Sequence, residues 1–162
     1  MNKQEILNEI NKTKEHLANI VKKLEGCNER WKPNSCDPYY YIDAFGNILS
    51  QIESGHYSDN AFWENYNCFQ TREQAEQEAE KILIRRQLED IARRLNKGEE
   101  FDWGDENQCK WYIVYNTTFG FETYSVSENT VQGVVYCLDK NFLNTAIKEI
   151  GEGRLIKYLR GK

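Results

Sequence analysis

The sequence predicts an α+β protein, and three features of the chain carry that prediction. Two stretches, residues 39–71 and residues 111–139, repeat one order: an aromatic strand, a turn and a short strand that leads to a helix cap. Each repeat is followed by apolar residues at helical spacing. A further helical pattern opens the chain. We therefore expect two units, each a β-hairpin or strand set followed by a helix, with antiparallel sheet behind a long amphipathic N-terminal helix.

The N-terminal helix is predicted over residues 1–26, where apolar residues recur at alternating steps of four and three. This heptad stripe is the pattern of a coiled coil, and Gly26 is a suitable C-terminal cap. Thr13 fills the polar position of the stripe. Because the stripe must be buried, we expect the helix to form a homodimer, dock on the body or meet a partner. The predicted seam consists of Ile6, Ile10, Leu17, Ile20 and Leu24.

The body begins after a linker. Residues 27–38 contain both prolines of the chain and are predicted to be a linker loop, with Trp31 anchoring it. The compact α+β domain is expected over residues 39–162, with its two ββα-like units at residues 39–97 and 108–162. In the first unit, a hairpin turns at residues 43–47, and a capping box at Thr71 opens a helix that ends near Asn96. Residues 53–67 show no clear periodicity and are predicted to be a long loop.

The second unit is predicted from the same signals. Strands are expected at residues 111–115, 119–126 and 133–138, which together form an antiparallel set. Asp139 is a suitable N-cap for a helix that Gly151 ends. Residues 155–159 are predicted to form a last turn.

Composition limits the classes of function. The formal net charge of −5 argues against a general nucleic-acid binder. The five cysteines are odd in number and include no Cys-x-x-Cys pair, which indicates reduced thiols. No apolar run is long enough to cross a bilayer, and the N-terminus lacks the hydrophobic core of a signal peptide. We therefore expect a cytoplasmic protein with no membrane contact.

Candidate catalytic and metal-binding residues are few, and the sequence predicts neither kind of site nor any cofactor. Cys27, Cys36, His56 and Cys68 could ligate a metal, but their spacing matches no zinc pattern. A cysteine-dependent activity at Cys68 with His56 as base is an alternative. A buried residue at the end of a strand explains Cys68 better.

Residues 53–67 carry the candidate protein-binding surface. Their aromatic residues have the composition of interface hot spots, with acidic and amide residues as a polar rim. The alternative, left open, is that Phe62 and Trp63 fill the core beneath their own loop. The predicted partner-binding residues are Tyr57, Asp59, Phe62, Trp63 and Tyr66.

Basic residues support the alternative hypothesis of a nucleic-acid-binding accessory or regulatory protein that dimerises through the N-terminal helix. Arginine pairs on the long helix and a basic C-terminal turn could follow phosphates, although neighbouring Glu89, Asp90, Glu99 and Glu100 would oppose this. The candidate phosphate contacts are Arg85, Arg86, Arg93, Arg94, Arg154, Lys157 and Arg160.

Six short motifs resemble a family of small, poorly characterised phage and prophage proteins. The resemblance covers about residues 31–160 and leaves the N-terminal helix as a variable attachment. The motifs are Trp31-x-Pro33, residues 39–43 (Tyr-Tyr-Tyr-Ile-Asp), residues 67–71 with Ala75 and Glu76, residues 111–113, Val135 with Tyr136, and residues 146–152.

The resemblance implies a counter-defence role. In a mobile-element setting, small non-enzymatic proteins commonly bind and block host machinery, including CRISPR effectors. The family brings no catalytic residues to transfer. The resemblance therefore implies a protein that inhibits a host defence protein or nucleoprotein complex, a CRISPR nuclease first among them, by occupying a functional surface.

Overall fold

The structure, a computed structural model, describes residue 9, residues 12–17 and residues 30–161. The described chain divides into two compact units. The first unit takes the described residues up to Tyr41 together with Leu49–Thr71, and the second takes Ile42–Ile48 and the residues from Arg72 onward. The long helix after Thr71 thus belongs to the second unit. The division into two ββα-like units at residues 39–97 and 108–162 stays a prediction.

The N-terminal segment is helical at residue 9 and residues 12–17, where all side chains are exposed. Leu17, from the predicted seam, is 55% exposed. The other seam residues, Ile6, Ile10, Ile20 and Leu24, lie outside the described residues. A continuous helix over residues 1–26 is not shown, and its pairing with a second copy stays a prediction.

The first unit combines most of a hairpin, whose turn at Ile42–Ile48 is assigned to the second unit, with a short helix. Strands β1 (Pro38–Ile42) and β2 (Ile48–Ile52) form a two-stranded antiparallel sheet. Phe69 joins β1 by a bridge to Tyr40, with both backbone hydrogen bonds at 2.9 Å. Helix α1 (Tyr57–Glu64) lies inside the segment predicted to be a loop. That loop prediction is wrong, because polar capping at His56 and Asp59 starts a helix too short for a clear apolar period.

The second unit contains a long helix, a hairpin and two shorter helices. They are α2 (Arg72–Asn96), β3 (Lys110–Asn116), β4 (Gly120–Val126), α3 (Phe142–Ile150) and α4 (Glu152–Arg160). The antiparallel register places Tyr112 opposite Tyr124 and Tyr115 opposite Phe121. The α+β class, the long helix and the second hairpin are confirmed.

One apolar core holds the second unit together. Helix α2 packs against α3 and α4, and both of these pack against β3. Apolar residues at helical spacing on α2 meet the inward face of the amphipathic α3. The main buried residues of this core are Ile84, Leu88, Ile91, Ile113, Phe142, Ala146, Ile150 and Leu155.

The strand predicted at residues 133–138 is reduced to one bridge, between Cys137 and Trp111. Gly133 has a φ of 84°, which turns the backbone away from a strand path. The Tyr136 hydroxyl bonds to the backbone N–H and C=O of Val131, which closes a loop instead of extending a strand. The prediction of a third full strand is therefore wrong.

Candidate functional site

Asp59 is the centre of a buried polar network in the first unit and is only 1% exposed. Its Oδ1 accepts hydrogen bonds from the Tyr39 hydroxyl at 2.8 Å and from the Gln51 amide at 2.7 Å. Its Oδ2 accepts from the Ser54 backbone N–H at 3.0 Å and hydroxyl at 2.9 Å, and from the His56 backbone N–H at 3.0 Å. The prediction of Asp59 as an exposed rim residue is therefore wrong.

This network keeps Asp59 ionised. Burial alone would raise the pKa of Asp59, but hydrogen bonds from Ser54, Tyr39 and His56 favour the carboxylate and lower the pKa to about 2. Burial first, and then the bond to Asp59, raise the pKa of Tyr39 well above its usual range, so the phenol stays the donor. Asp59 thereby joins the hairpin to the first turn of α1. Its role is structural, because it fixes the position of the helix that carries Trp63.

The side chains of helix α1 have different contacts on its different faces. Asp59 and Phe62, three positions apart, share one face. Phe62 stacks on Tyr41 at 4.2 Å between ring centroids and is half-buried. For Phe62 the structure thus favours the core alternative over partner binding.

Asn60 and Trp63, on the neighbouring face of α1, meet the chain that precedes β1. The Lys32 ammonium donates to the Asn60 side-chain oxygen at 3.2 Å and lies 4.8 Å from the centre of the Trp63 ring. The Trp63 indole N–H donates to the Trp31 carbonyl at 3.1 Å, which fixes the ring in place. Trp63 is half-buried, so it is at once an anchor and a partly open ring.

Arg30 links Trp63 to Tyr66. Its guanidinium carbon lies 4.5 Å from the centre of the Trp63 ring and 4.1 Å from that of Tyr66, and its side chain donates to the Trp63 carbonyl. Such cation–π contacts stabilise by about 0.5–1 kcal/mol each at exposed sites. Arg30, Lys32, Trp63 and Tyr66 together form what we call the aromatic–cation surface.

Tyr66 occupies a backbone position that ordinarily favours glycine. Its φ is 59°, in the left-handed region. The Asn67 N–H bonds to the Phe62 carbonyl at 2.9 Å and the Tyr66 N–H to the Trp63 carbonyl at 3.1 Å, which is the bonding of a Schellman helix end. Yet the side chain at this position is a tyrosine that is 76% exposed. The fold thus presents a large ring to solvent, although the left-handed backbone conformation at this residue costs free energy.

Tyr57, at the start of α1, is also presented outward. It is 79% exposed and contacts the His56 ring at 4.5 Å between centroids. Of the predicted partner-binding residues, the structure therefore exposes Tyr57 and Tyr66, half-buries Phe62 and Trp63, and buries Asp59. Arg30 and Lys32 were missed; basic residues on either side of Trp31 were the available signal.

The predicted phosphate contacts are largely engaged in ion pairs. Arg85 pairs with Glu89 at 2.9 Å, and both Arg93 and Arg94 pair with Asp90. Arg94 also pairs with Glu149, and Arg154 with Glu80 at 2.6 Å. Within residues 30–161, Arg86, Lys157 and Arg160 have no ion-pair partner. Four of the seven predicted phosphate contacts are thus paired with carboxylates of α2 and α3.

The pKa values of the buried cysteine thiols depend on how deeply each side chain is buried. Burial raises the pKa of Cys68 to about 11 and also raises that of Cys137, which leaves both as poor nucleophiles at neutral pH. Cys36 is exposed, and Cys27 lies outside the described residues. In the described part of the chain, no group of His, Cys, Asp and Glu residues is arranged to hold a metal ion.

Comparisons with known proteins give the chain no relatives: no family model, no curated protein and no solved structure matches it. Among the described helices, none has both the length and the apolar character that a membrane crossing needs.

Proposed function

We propose that this chain is a non-enzymatic binding protein that engages a macromolecular partner through the aromatic–cation surface and Tyr57. The observation that carries the proposal is Tyr66, an exposed ring held at a left-handed backbone position. Non-glycine residues in that conformation persist where the surroundings over-determine them, and they cluster at functional sites.

The chemistry of the surface supports a protein partner. Tyrosine, tryptophan and arginine are the residues most enriched at interface hot spots. Arg30 and Trp63 are held in place by one another and by Trp31, so little side-chain entropy is lost on binding. Tyr66 and Tyr57 add apolar area with a polar tip at low entropic cost.

The absence of catalysis is part of the proposal. The raised pKa values of Cys68 and Cys137 work against thiol chemistry. The His56 ring bonds to Ser58 at 2.9 Å, and no hydrogen bond joins it to Cys68 within residues 30–161. Asp59 is saturated by donors from its own unit, which removes it as a general base.

The target class comes from the resemblance to phage proteins: a host defence complex, with a CRISPR nuclease as the first candidate. The chain is acidic overall, with a formal net charge of −5, and nucleases bind their substrates in basic channels. The net charge attracts the chain to such a nuclease over long range, while the contact through Arg30 and Lys32 suits acidic and aromatic groups beside the channel, where the bound chain blocks nucleic acid. Cytoplasmic action in the host cell belongs to the same proposal.

The test is a panel of purified CRISPR nucleases and other defence nucleases, each assayed for cleavage and co-elution with the full chain. We expect the wild type to co-elute with at least one nuclease and to inhibit it. Tyr57→Ala combined with Tyr66→Gly should abolish both effects. Phe119→Ala, which removes a 76% exposed ring from the second unit, is the matched control and should retain them.

Two results would count against the proposal. The target class fails if the wild type neither binds nor inhibits any nuclease in the panel. The assignment of the surface fails if the double variant inhibits as well as the control. A mobility shift of labelled single-stranded DNA by the chain alone, lost at high salt, would instead support the nucleic-acid alternative.

A further inference from the structure

A second surface lies within the second unit, where an open groove of about 710 Å³ runs beside α2. It is lined by Ala92 and other residues of α2, by the loop after α2 and by residues 134–136. Volumes of this size accommodate side chains or small ligands. The groove is formed entirely by the second unit and does not include the aromatic–cation surface.

Three aromatic rings, those of Phe101, Trp103 and Tyr136, line the groove. Trp103 meets Tyr136 edge-on at 5.2 Å, and Phe101 contacts both, at 6.1 Å and 6.4 Å. The bonds between the Tyr136 hydroxyl and Val131 fix that ring. The ammonium of Lys110, which is 0% exposed, lies 5.2 Å from the centre of the Trp103 ring. Trp103 itself is half-buried and lines the groove, so part of its ring is open to a ligand.

The charges of the groove are unbalanced. Its lining includes two arginines, but Arg85 is paired with Glu89, and Arg93 with Asp90. Glu99 and Glu100 also line it, both exposed, and within residues 30–161 neither side chain has a hydrogen-bond or ion-pair partner. The groove therefore offers aromatic rings beside two free carboxylates.

We infer that this groove binds an extended peptide segment bearing arginine. A guanidinium stacks on aromatic faces and bonds carboxylates with two parallel hydrogen bonds, so one side chain uses both features of the groove. The free carboxylates repel phosphates, which sets nucleic acid aside. The volume exceeds that of one guanidinium, which leaves room for the backbone of the segment. The inference does not depend on the function proposed for the aromatic–cation surface.

The experiment titrates the full-length chain into a short fluorescein-labelled peptide of alternating glycine and arginine and follows anisotropy. Matched probes carry glutamate in place of arginine, or are labelled oligothymidylate. We expect binding of the arginine peptide alone. The double variant Glu99→Gln with Glu100→Gln should weaken it about tenfold, which corresponds to the loss of two charge-assisted contacts. Phe101→Ser should also weaken it.

The control for charge is Glu106→Gln with Glu128→Gln, which removes two exposed carboxylates of the same unit that do not line the groove. This variant should bind as the wild type does. As a second measurement on the wild type, amide chemical shifts should change at residues 98–103 and 134–136 when peptide is added. The inference is overturned if the arginine peptide does not bind, if the glutamate peptide or oligothymidylate binds equally, if both double variants behave alike, or if the shifts fall elsewhere.

Discussion

In the first unit, the large, fully buried side chains include Tyr39 and Asp59, which bond to one another, whereas those of the second unit include Phe142, Ile84 and Leu155. The first unit is organised around an ionised carboxylate and the second around an apolar core. Lys110, the buried charge of the second unit, is satisfied by backbone carbonyls of Asp102, Asp105 and Ser127.

The difference teaches how a short chain can present a surface. Hydrogen bonds are directional, so the Asp59 network fixes the positions of few residues with little apolar burial. That leaves aromatic side chains free to face solvent, where Tyr57 and Tyr66 are found. The second unit is held instead by an apolar core, and the aromatic rings that it exposes, such as Phe119, lie outside that core. The two units should therefore fail under different perturbations.

The largest effect is expected in the apolar core. Phe142→Ala should lower the free energy of unfolding of the second unit by about 3–5 kcal/mol, because it removes a buried ring and leaves a cavity. Phe119→Ala, the same change at a 76% exposed position, should cost less than about 0.5 kcal/mol. Chemical denaturation measures the change in the free energy of unfolding of both variants, and amide hydrogen exchange assigns that change to the second unit. Equal effects would show that Phe142 is not part of a packed core.

The next effect concerns the polar centre of the first unit. Asp59→Ala should lower the melting temperature of that unit by on the order of 10 °C, because several donors lose their acceptor. Amides of β1 and α1 should exchange faster, while those of α2 and α3 keep their protection. Glu64→Ala, on the exposed side of α1, is the control. Uniform loss of protection in both units would show that the two units are not stabilised separately.

Acid should affect the first unit through the same carboxylate. The pKa of Asp59 is lowered from 3.8 to about 2 in the folded chain, so its stabilising contribution is present above about pH 4 and is lost as the pH falls through about 2. Asp59→Asn removes this titration and should flatten the stability profile of the first unit between these values. Circular dichroism against pH on wild type and variant measures the difference. Parallel profiles would exclude Asp59 as the source.

The smallest effect compares two non-glycine residues at left-handed positions, Tyr66 in the first unit and Lys97 in the second, with φ of 59° and 53°. Lys97→Gly should raise the free energy of unfolding by about 1 kcal/mol by relieving strain. Tyr66→Gly should raise it by only about 0.5 kcal/mol, because it also loses the contact with Arg30. Thermal unfolding measures both. A destabilisation of 1 kcal/mol or more by Tyr66→Gly would make that ring structural.

Sequence patterns predicted the second unit better than the first. Helix α2 is long and periodic, and the strands of the β3–β4 hairpin are rich in aromatic and β-branched residues, so local signals are enough to find them. Helix α1 was not predicted because its inward face carries Asp59, and the burial of that carboxylate depends on hydrogen-bond donors from elsewhere in the unit. The missing third strand follows from a turn at Gly133, which the run of apolar residues conceals.

The candidate site was found only in part, for a related reason. Tyr57, Trp63 and Tyr66 could be selected by composition. Arg30 and Lys32 could be suspected only from their position on either side of Trp31, because the contact of Arg30 with Trp63, 33 positions along the chain, leaves no periodic signal. The left-handed conformation of Tyr66 is likewise a property of the folded helix end and not of the tyrosine itself.

The most direct test of the binding proposal is the dissociation constant for a co-eluting nuclease, measured by titration calorimetry with wild type, Tyr66→Gly and Lys97→Gly. A hot-spot residue contributes about 2 kcal/mol, so Tyr66→Gly should bind about 30-fold more weakly while remaining at least as stable as the wild type. Lys97→Gly should bind normally. Equal dissociation constants for all three chains would contradict the account.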